Sequence, residues 1–209
     1  MEAQTVHLFV FNGMADWEPA FAVAGINNPR FQREPGRYRV RTVGLTPAHI
    51  ATMGGIRIQP DLALDDLSPT ASALLILPGG DAWEHGENLE AVAKAAEFLA
   101  IGIPVAAICA ATLAVAQAGF LDNRLHTSNS PDYLRSTGYR GRALYRNIPA
   151  IADGNLITAS GTAPVDFAYQ IFGLLDLYTE EALNAWYALF RHGDASKFAA
   201  LSLATAQNA

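Results

Sequence analysis

Apolar runs of strand length recur along this chain, and most are followed by a stretch whose apolar residues return every three or four positions. The first run, "VHLFVF" at residues 6–11, gives way to "NG" and then to "DWEPAFAVAGI", where Asp16 is placed to cap a helix carrying Phe21, Ala24 and Gly25 on one face. Residues 38–45, "YRVRTVGL", alternate like a strand with one wetter face. Residues 51–61, "ATMGGIRIQPD", read as a hairpin with Met53, Gly54 and Gly55 in or near its turn. "ALLILPGG" at 73–80 reads as a buried strand ending in glycines, and residues 87–102 as a helix stopped by Gly102. "IPVAAI" and "NLITAS" (155–160, entered through "DGN") predict two more buried strands, and "APVDFAYQIFGLL" and "TEEALNAWYALFRHG" two amphipathic helices. Buried strands separated by helices are the pattern of a parallel sheet covered on both faces, here with a small antiparallel hairpin attached. No internal repeat, low-complexity segment or linker divides the chain, so residues 1–209 are expected to form one domain.

Composition narrows the function classes. The chain has 209 residues, 51% hydrophobic and 16% charged, which suits a globular domain with a sizeable core. A formal charge of −6 argues against a phosphate-gripping nucleic-acid binder. The Arg-rich stretch at 30–41 is broken by Glu34, Pro35 and Gly36 and reads as a solvated loop entering a strand edge. Glu2 stands where an export signal needs basic residues, which predicts a cytoplasmic protein. Gly102, Pro104 and Gln117 interrupt the most apolar region before it reaches the length of a membrane span. Cys109 is the only cysteine, so an intramolecular disulfide and paired-cysteine zinc sites are excluded. Glu84 with His85, or Asp16 with Glu18, offer too few ligands of defined direction for a metal. The glycine pair lacks the Lys and Ser/Thr of a phosphate loop, and no cofactor is expected.

Ligands of such sheets bind beyond the carboxyl ends of the strands. The residues found there are Asn12 to Glu18, then Gly79 and Gly80, then Cys109, then Ser160, Gly161 and Thr162. Cys109 lies in "AAICAAT", with Ala107 and Ala111 where a strand-to-helix nucleophile turn needs small residues on either side. Such a turn sets the thiol at a helix N-terminus, whose N–H groups and dipole favour a thiolate, so a lowered thiol pKa is expected. The Ala110 N–H, with one from Gly79 or Gly80, would hold a developing oxyanion. The alternative is that Cys109 is a small buried residue in an alanine-rich core.

The segments "DWEPAF", "LILPGG", "AAICAAT", "AGFLDNRLHTSN" and "NLITASGTAPVDFAYQIF" occur in the order and at the spacing of the ThiJ/PfpI family of the class I glutamine amidotransferase-like superfamily, which the chain resembles over roughly residues 5–178. The resemblance implies a flavodoxin-like three-layer α/β sandwich with a mostly parallel sheet and a nucleophile elbow. It also implies a homodimer, with residues from about 179 to 209 as a helical extension beyond the family core. It pairs the elbow Cys109 with Glu18, has Gly79, Gly80 and Ala110 supply backbone donors, and has Ser160, Gly161 and Thr162 line the pocket. On this reading Glu18 is protonated beside the sulfur, its pKa raised by that neighbour and by burial, and moves protons. Ala110 stands where protease-like members carry His, so a Cys–His protease dyad of that type is absent. In "HTSN", Asn129 falls near the position of a family histidine, while His126 falls within an expected strand. Asp16, Trp83, His85, His126 and Asn129 complete the expected pocket. These features predict a cofactor-free, cysteine-dependent enzyme on a small electrophilic substrate, with hydratase, deglycase or glyoxalase-like, or amidase-like chemistry. The alternative is a stress sensor or chaperone-like protein that uses oxidation of Cys109 without turnover.

Overall fold

In the computed structural model, which describes residues 3–206, β1 (Gln4–Phe9) lies near the middle of a seven-stranded sheet. Glu2, the residue that argues against an export signal, lies outside the described residues. The other strands of the sheet are β2 (Tyr38–Gly44), β5 (Leu62–Ala63), β6 (Leu74–Leu77), β7 (Val105–Ile108), β8 (Ala150–Asp153) and β9 (Leu156–Ala159). Their order is β5-β2-β1-β6-β7-β9-β8, parallel except for β8, which pairs antiparallel with β9. The expected hairpin is a separate antiparallel pair, β3 (Ile50–Ala51) and β4 (Arg57–Ile58).

The central strands are buried along their whole length, as unbroken runs such as "LLIL" and "VAAI" require when both faces are covered. On one side α1 (Trp17–Asn27) packs against α5 (Pro164–Leu174), which in turn meets α6 (Glu180–His192), with α7 (Lys197–Ala206) on α6. On the other side α2 (Leu89–Ala100) and α3 (Ala111–Gln117) cover β7, and the short α4 (Pro131–Arg135) lies against α3. The architecture is a three-layer α/β sandwich of flavodoxin-like type. No helix among the described residues is long and apolar enough to cross a membrane.

Two local expectations are corrected. Asp16 sits at the N-cap of α1 but makes no side-chain cap; its carboxylate turns to the hairpin, accepting from the Thr52 hydroxyl and from the Gly54 N–H at 2.6 Å. His126 is not in a strand, since only an isolated bridge to Tyr145 forms there. Because β1, β6, β7 and β9 are adjacent and parallel, the loops that follow them converge at one edge of the sheet.

Candidate active site

Cys109 follows β7 directly. Its N–H donates to the Ala159 carbonyl at 3.0 Å, so the residue is still tied to β9 while the chain turns into α3. The turn requires φ +58°, a left-handed conformation that few side chains adopt. Ala107 and Ala111 are fully buried, so the small residues predicted for an elbow are packed against the core. The Cys109 carbonyl accepts from the Thr112 N–H and hydroxyl, and that hydroxyl also bonds Ser128 Oγ at 2.6 Å, tying the elbow to the segment that carries Asn129.

Glu18, in the first turn of α1, is fully buried. The Gly79 N–H donates to its Oε2 at 2.5 Å, while Oε1 has no well-formed hydrogen bond among the described residues. Asn129 Nδ2 donates to Cys109 Sγ at 3.4 Å, and its Oδ1 accepts from the Gly161 N–H at 2.9 Å. The Gly161 carbonyl accepts from the indole N–H of Trp17 at 3.1 Å. Both glycines are sterically required. A Cβ on Gly161 would lie 2.6 Å from Sγ, and one on Gly79 would lie 2.7 Å from Glu18 Oε2 and 3.0 Å from Sγ. The cleft above the sulfur, about 440 Å³, is lined by Trp17, Glu18, Cys109, Asn129, Gly161, Thr162 and Pro164.

Burial pushes the Glu18 carboxyl up to about 7, against the opposing pull of the Gly79 N–H and the thiol. Burial, then the charge of Glu18, pushes the Cys109 thiol up to about 11, with Asn129 and the Ala110 N–H working in the other direction. The expected lowering of the thiol is therefore overturned: α3 is a seven-residue helix, and its N-terminus does not offset desolvation beside a carboxylate. Burial, rather than the sulfur's charge, is also the main cause at Glu18. The two groups titrate as a pair that releases a first proton near neutrality and a second at high pH.

Other expected site residues lie elsewhere. The Gly79 N–H is committed to Glu18 and is not a spare oxyanion donor. Gly80, at φ +154°, packs toward Phe11 and the Gly13 carbonyl. Trp83 is a core residue, its N–H on the Pro78 carbonyl and its ring against Phe9 and Phe11. His85 is in an exposed turn outside the cleft lining. His126 is fully buried between the Arg124 carbonyl and the Tyr139 hydroxyl, and burial lowers its pKa. Asp16 braces the hairpin, and burial, which raises its pKa, is outweighed by its bonds to Thr52 and Gly54. Thr162 reaches the cleft, whereas Ser160 bonds Thr162 Oγ1 from behind it. Sequence reasoning missed Trp17, Pro164, Thr112 and Ser128; only the place of Trp17 beside Glu18 offered a signal.

Among the described residues, no group of three or more His, Cys, Asp or Glu is placed to hold a metal ion. The arrangement suits a thiol that adds to a carbon electrophile next to a carboxyl able to carry the proton.

Residues 4–173 match the DJ-1/PfpI family. The chain is 39% identical over 192 residues to the protein called uncharacterized protease YoaZ of Bacillus subtilis, covering 90% of this chain and 91% of that one. It is 32% identical over 106 residues to the deglycase TK1284 of Thermococcus kodakarensis, covering 50% of this chain and 63% of that one. Among solved structures, it is similar to a thiJ/pfpI family protein from Bacillus anthracis, with a TM-score of 0.90, 38% identity and 98% of each chain covered.

Proposed function

The chain belongs to the DJ-1/PfpI family, and from that premise we propose that it is a cofactor-independent enzyme in which Cys109 adds to a small electrophilic carbon and Glu18 moves the protons. The observation that carries this reading is the meeting, in one cleft, of a cysteine held at positive φ, a fully buried carboxyl and the Asn129 amide. Starting from a thiol beside a carboxylate, the thiol proton passes to the Glu18 carboxylate as Sγ bonds to the carbonyl carbon. The π pair moves to the carbonyl oxygen, which takes that proton back from Glu18, so the net step is addition of S–H across C=O. The Ala110 N–H, which already acts on Cys109, is the backbone donor available to the developing charge, since the Gly79 and Gly161 N–H groups are committed to Glu18 and Asn129. A carboxyl near 7 is matched to proton transfer in both directions at neutral pH.

A similar protein named as a deglycase supports carbonyl chemistry. The protease name of another relative fits less well, because Ala110 follows the nucleophile and no histidine is among the described residues that line the cleft. The test is consumption of substrate by the purified protein across a panel of aldehydes, amides and isonitriles. Turnover is expected for at least one class, abolished in Cys109→Ser and reduced about 100-fold or more in Glu18→Gln. Silence across the panel, or equal rates in Cys109→Ser, would overturn the proposal.

A further inference from the structure

The three tryptophans are treated very differently by the fold. Trp83 and Trp186 are 1% and 4% exposed, whereas Trp17 is 49% exposed at the mouth of the cleft. Its ring is nonetheless held, because the indole N–H is tied to the Gly161 carbonyl, Gly161 is tied to Asn129, and Asn129 touches the sulfur. A large apolar face is thus presented beside the nucleophile, fixed at its polar edge and uncovered on its surface. Pro164 supplies a second apolar wall.

No Lys, Arg or His is among the described residues that line the cleft. Just beyond, the Tyr133 hydroxyl donates to Glu84 Oε1 at 2.7 Å. Burial raises the Tyr133 pKa, and the hydrogen bond to Glu84 and the charge of Glu84 push it further in the same direction, so the charged partner of this hydroxyl is a carboxylate. A carboxylate or phosphate entering the cleft would meet the Glu18 carboxyl and no cationic side chain among the described residues of the lining.

We infer that Trp17 is a specificity-determining residue and that the cleft selects uncharged electrophiles carrying a flat aromatic or apolar group. The inference rests on the reading of Cys109 as nucleophile. It is a statement about recognition, however, so it can be tested without turnover.

Because Cys109 is the only cysteine, its alkylation reports on the cleft alone. Three reagents share one reaction, displacement of iodide from a CH₂ carbon by sulfur with the thiol proton passing to solvent: iodoacetamide, its N-phenyl derivative and iodoacetate. Each rate is divided by that of the same reagent with free cysteine at the same pH. The N-phenyl reagent is expected to gain about threefold to tenfold over iodoacetamide, the range of one aromatic contact. Iodoacetate is expected to lose about fivefold or more. Trp17→Ala should erase the phenyl gain, and Trp17→Phe, which keeps a flat face, should retain most of it, with circular dichroism confirming that both variants fold. Equal normalised rates for the phenyl and parent reagents, iodoacetate as fast as iodoacetamide, or a phenyl gain that survives Trp17→Ala would each overturn the inference. Selectivity as expected with no turnover of any carbonyl, amide or isonitrile would support the inference and remove the catalytic reading.

Discussion

At the scale of single residues, the proton shared between Glu18 and Cys109 decides what the cleft can do. The Glu18 carboxyl is raised from its ordinary value of 4.5 to about 7, so the fold prefers its neutral form. The stability this group contributes is complete below about pH 4.5 and is lost as pH rises through 7, a loss on the order of 3 kcal/mol. Glu18→Gln should therefore flatten the fall in urea-unfolding stability between those pH values. It should also lower the thiol's titration from about 11, because both the charge and the hydrogen bond of Glu18 act to raise it. Thiolate absorbance against pH reads the second effect; an unmoved midpoint together with an unchanged stability profile would separate the two residues. Both were legible in the sequence because a nucleophile turn demands small neighbours in fixed places, and family spacing then pointed to the carboxyl. The thiol's pKa was not legible, since desolvation depends on what closes over the sulfur, here the two glycine loops. The same gap explains Trp83, whose place after a strand was readable while its inward direction was set by the Phe9–Phe11 stack, and His126, expected within a strand but held at an isolated bridge by the Arg124 carbonyl and Tyr139.

At the scale of elements, legibility followed the strength of the apolar signal. The strands β1, β6, β7 and β9 were readable as unbroken apolar runs, and the helices α1, α2, α5 and α6 because their apolar residues return over two turns or more. β5 has two residues and α4 has five, too few to show a pattern, and β8 is a four-residue edge strand that is only partly buried just before the "DGN" turn. Helix α6 also carries end signals that the structure uses. The Thr179 hydroxyl accepts from the Ala182 N–H at 3.2 Å, Glu180 and Glu181 lie in the first turn, and Gly193 closes the helix at φ +68°. Thr179→Ala should cost about 1 kcal/mol. In a chain of this size that lowers the thermal midpoint by about 2–4 °C. Thr179→Ser should restore most of it, and equal melting of Ala and Ser variants would show the cap to be idle.

At the scale of the molecule, the same helix joins the C-terminal segment to the sheet layers. In the segment read as an amphipathic helix, Leu183, Trp186, Tyr187 and Phe190 fall at spacings of three and four, but periodicity states which residues share a face and not what meets it. In the structure the cover comes from the chain itself. Trp186 stands edge-on to Phe172 and Phe21, with ring centres 4.9 and 6.3 Å apart, and Leu183 and Trp186 are both buried. Tyr187 donates to the buried Asp166 at 2.6 Å, and Arg191 pairs with the same carboxylate at 3.0 Å. Phe190 is left 46% exposed on the rim of an apolar groove of about 340 Å³ that Phe21, Phe31 and Tyr178 also line. Truncation after Tyr178 would remove the cover from Phe172 and Phe21 and strip Asp166 of both partners. Each large apolar side chain involved is worth about 1.5–3 kcal/mol of burial, and a carboxylate without its partners on a half-opened surface adds to the cost. The truncated chain should melt at lower temperature and scatter light as aggregates, because the newly bared patch joins an existing apolar groove. A soluble product with unchanged melting and unchanged oligomer size would show that the extension is dispensable and that the aromatic contacts on α1 and α5 contribute little.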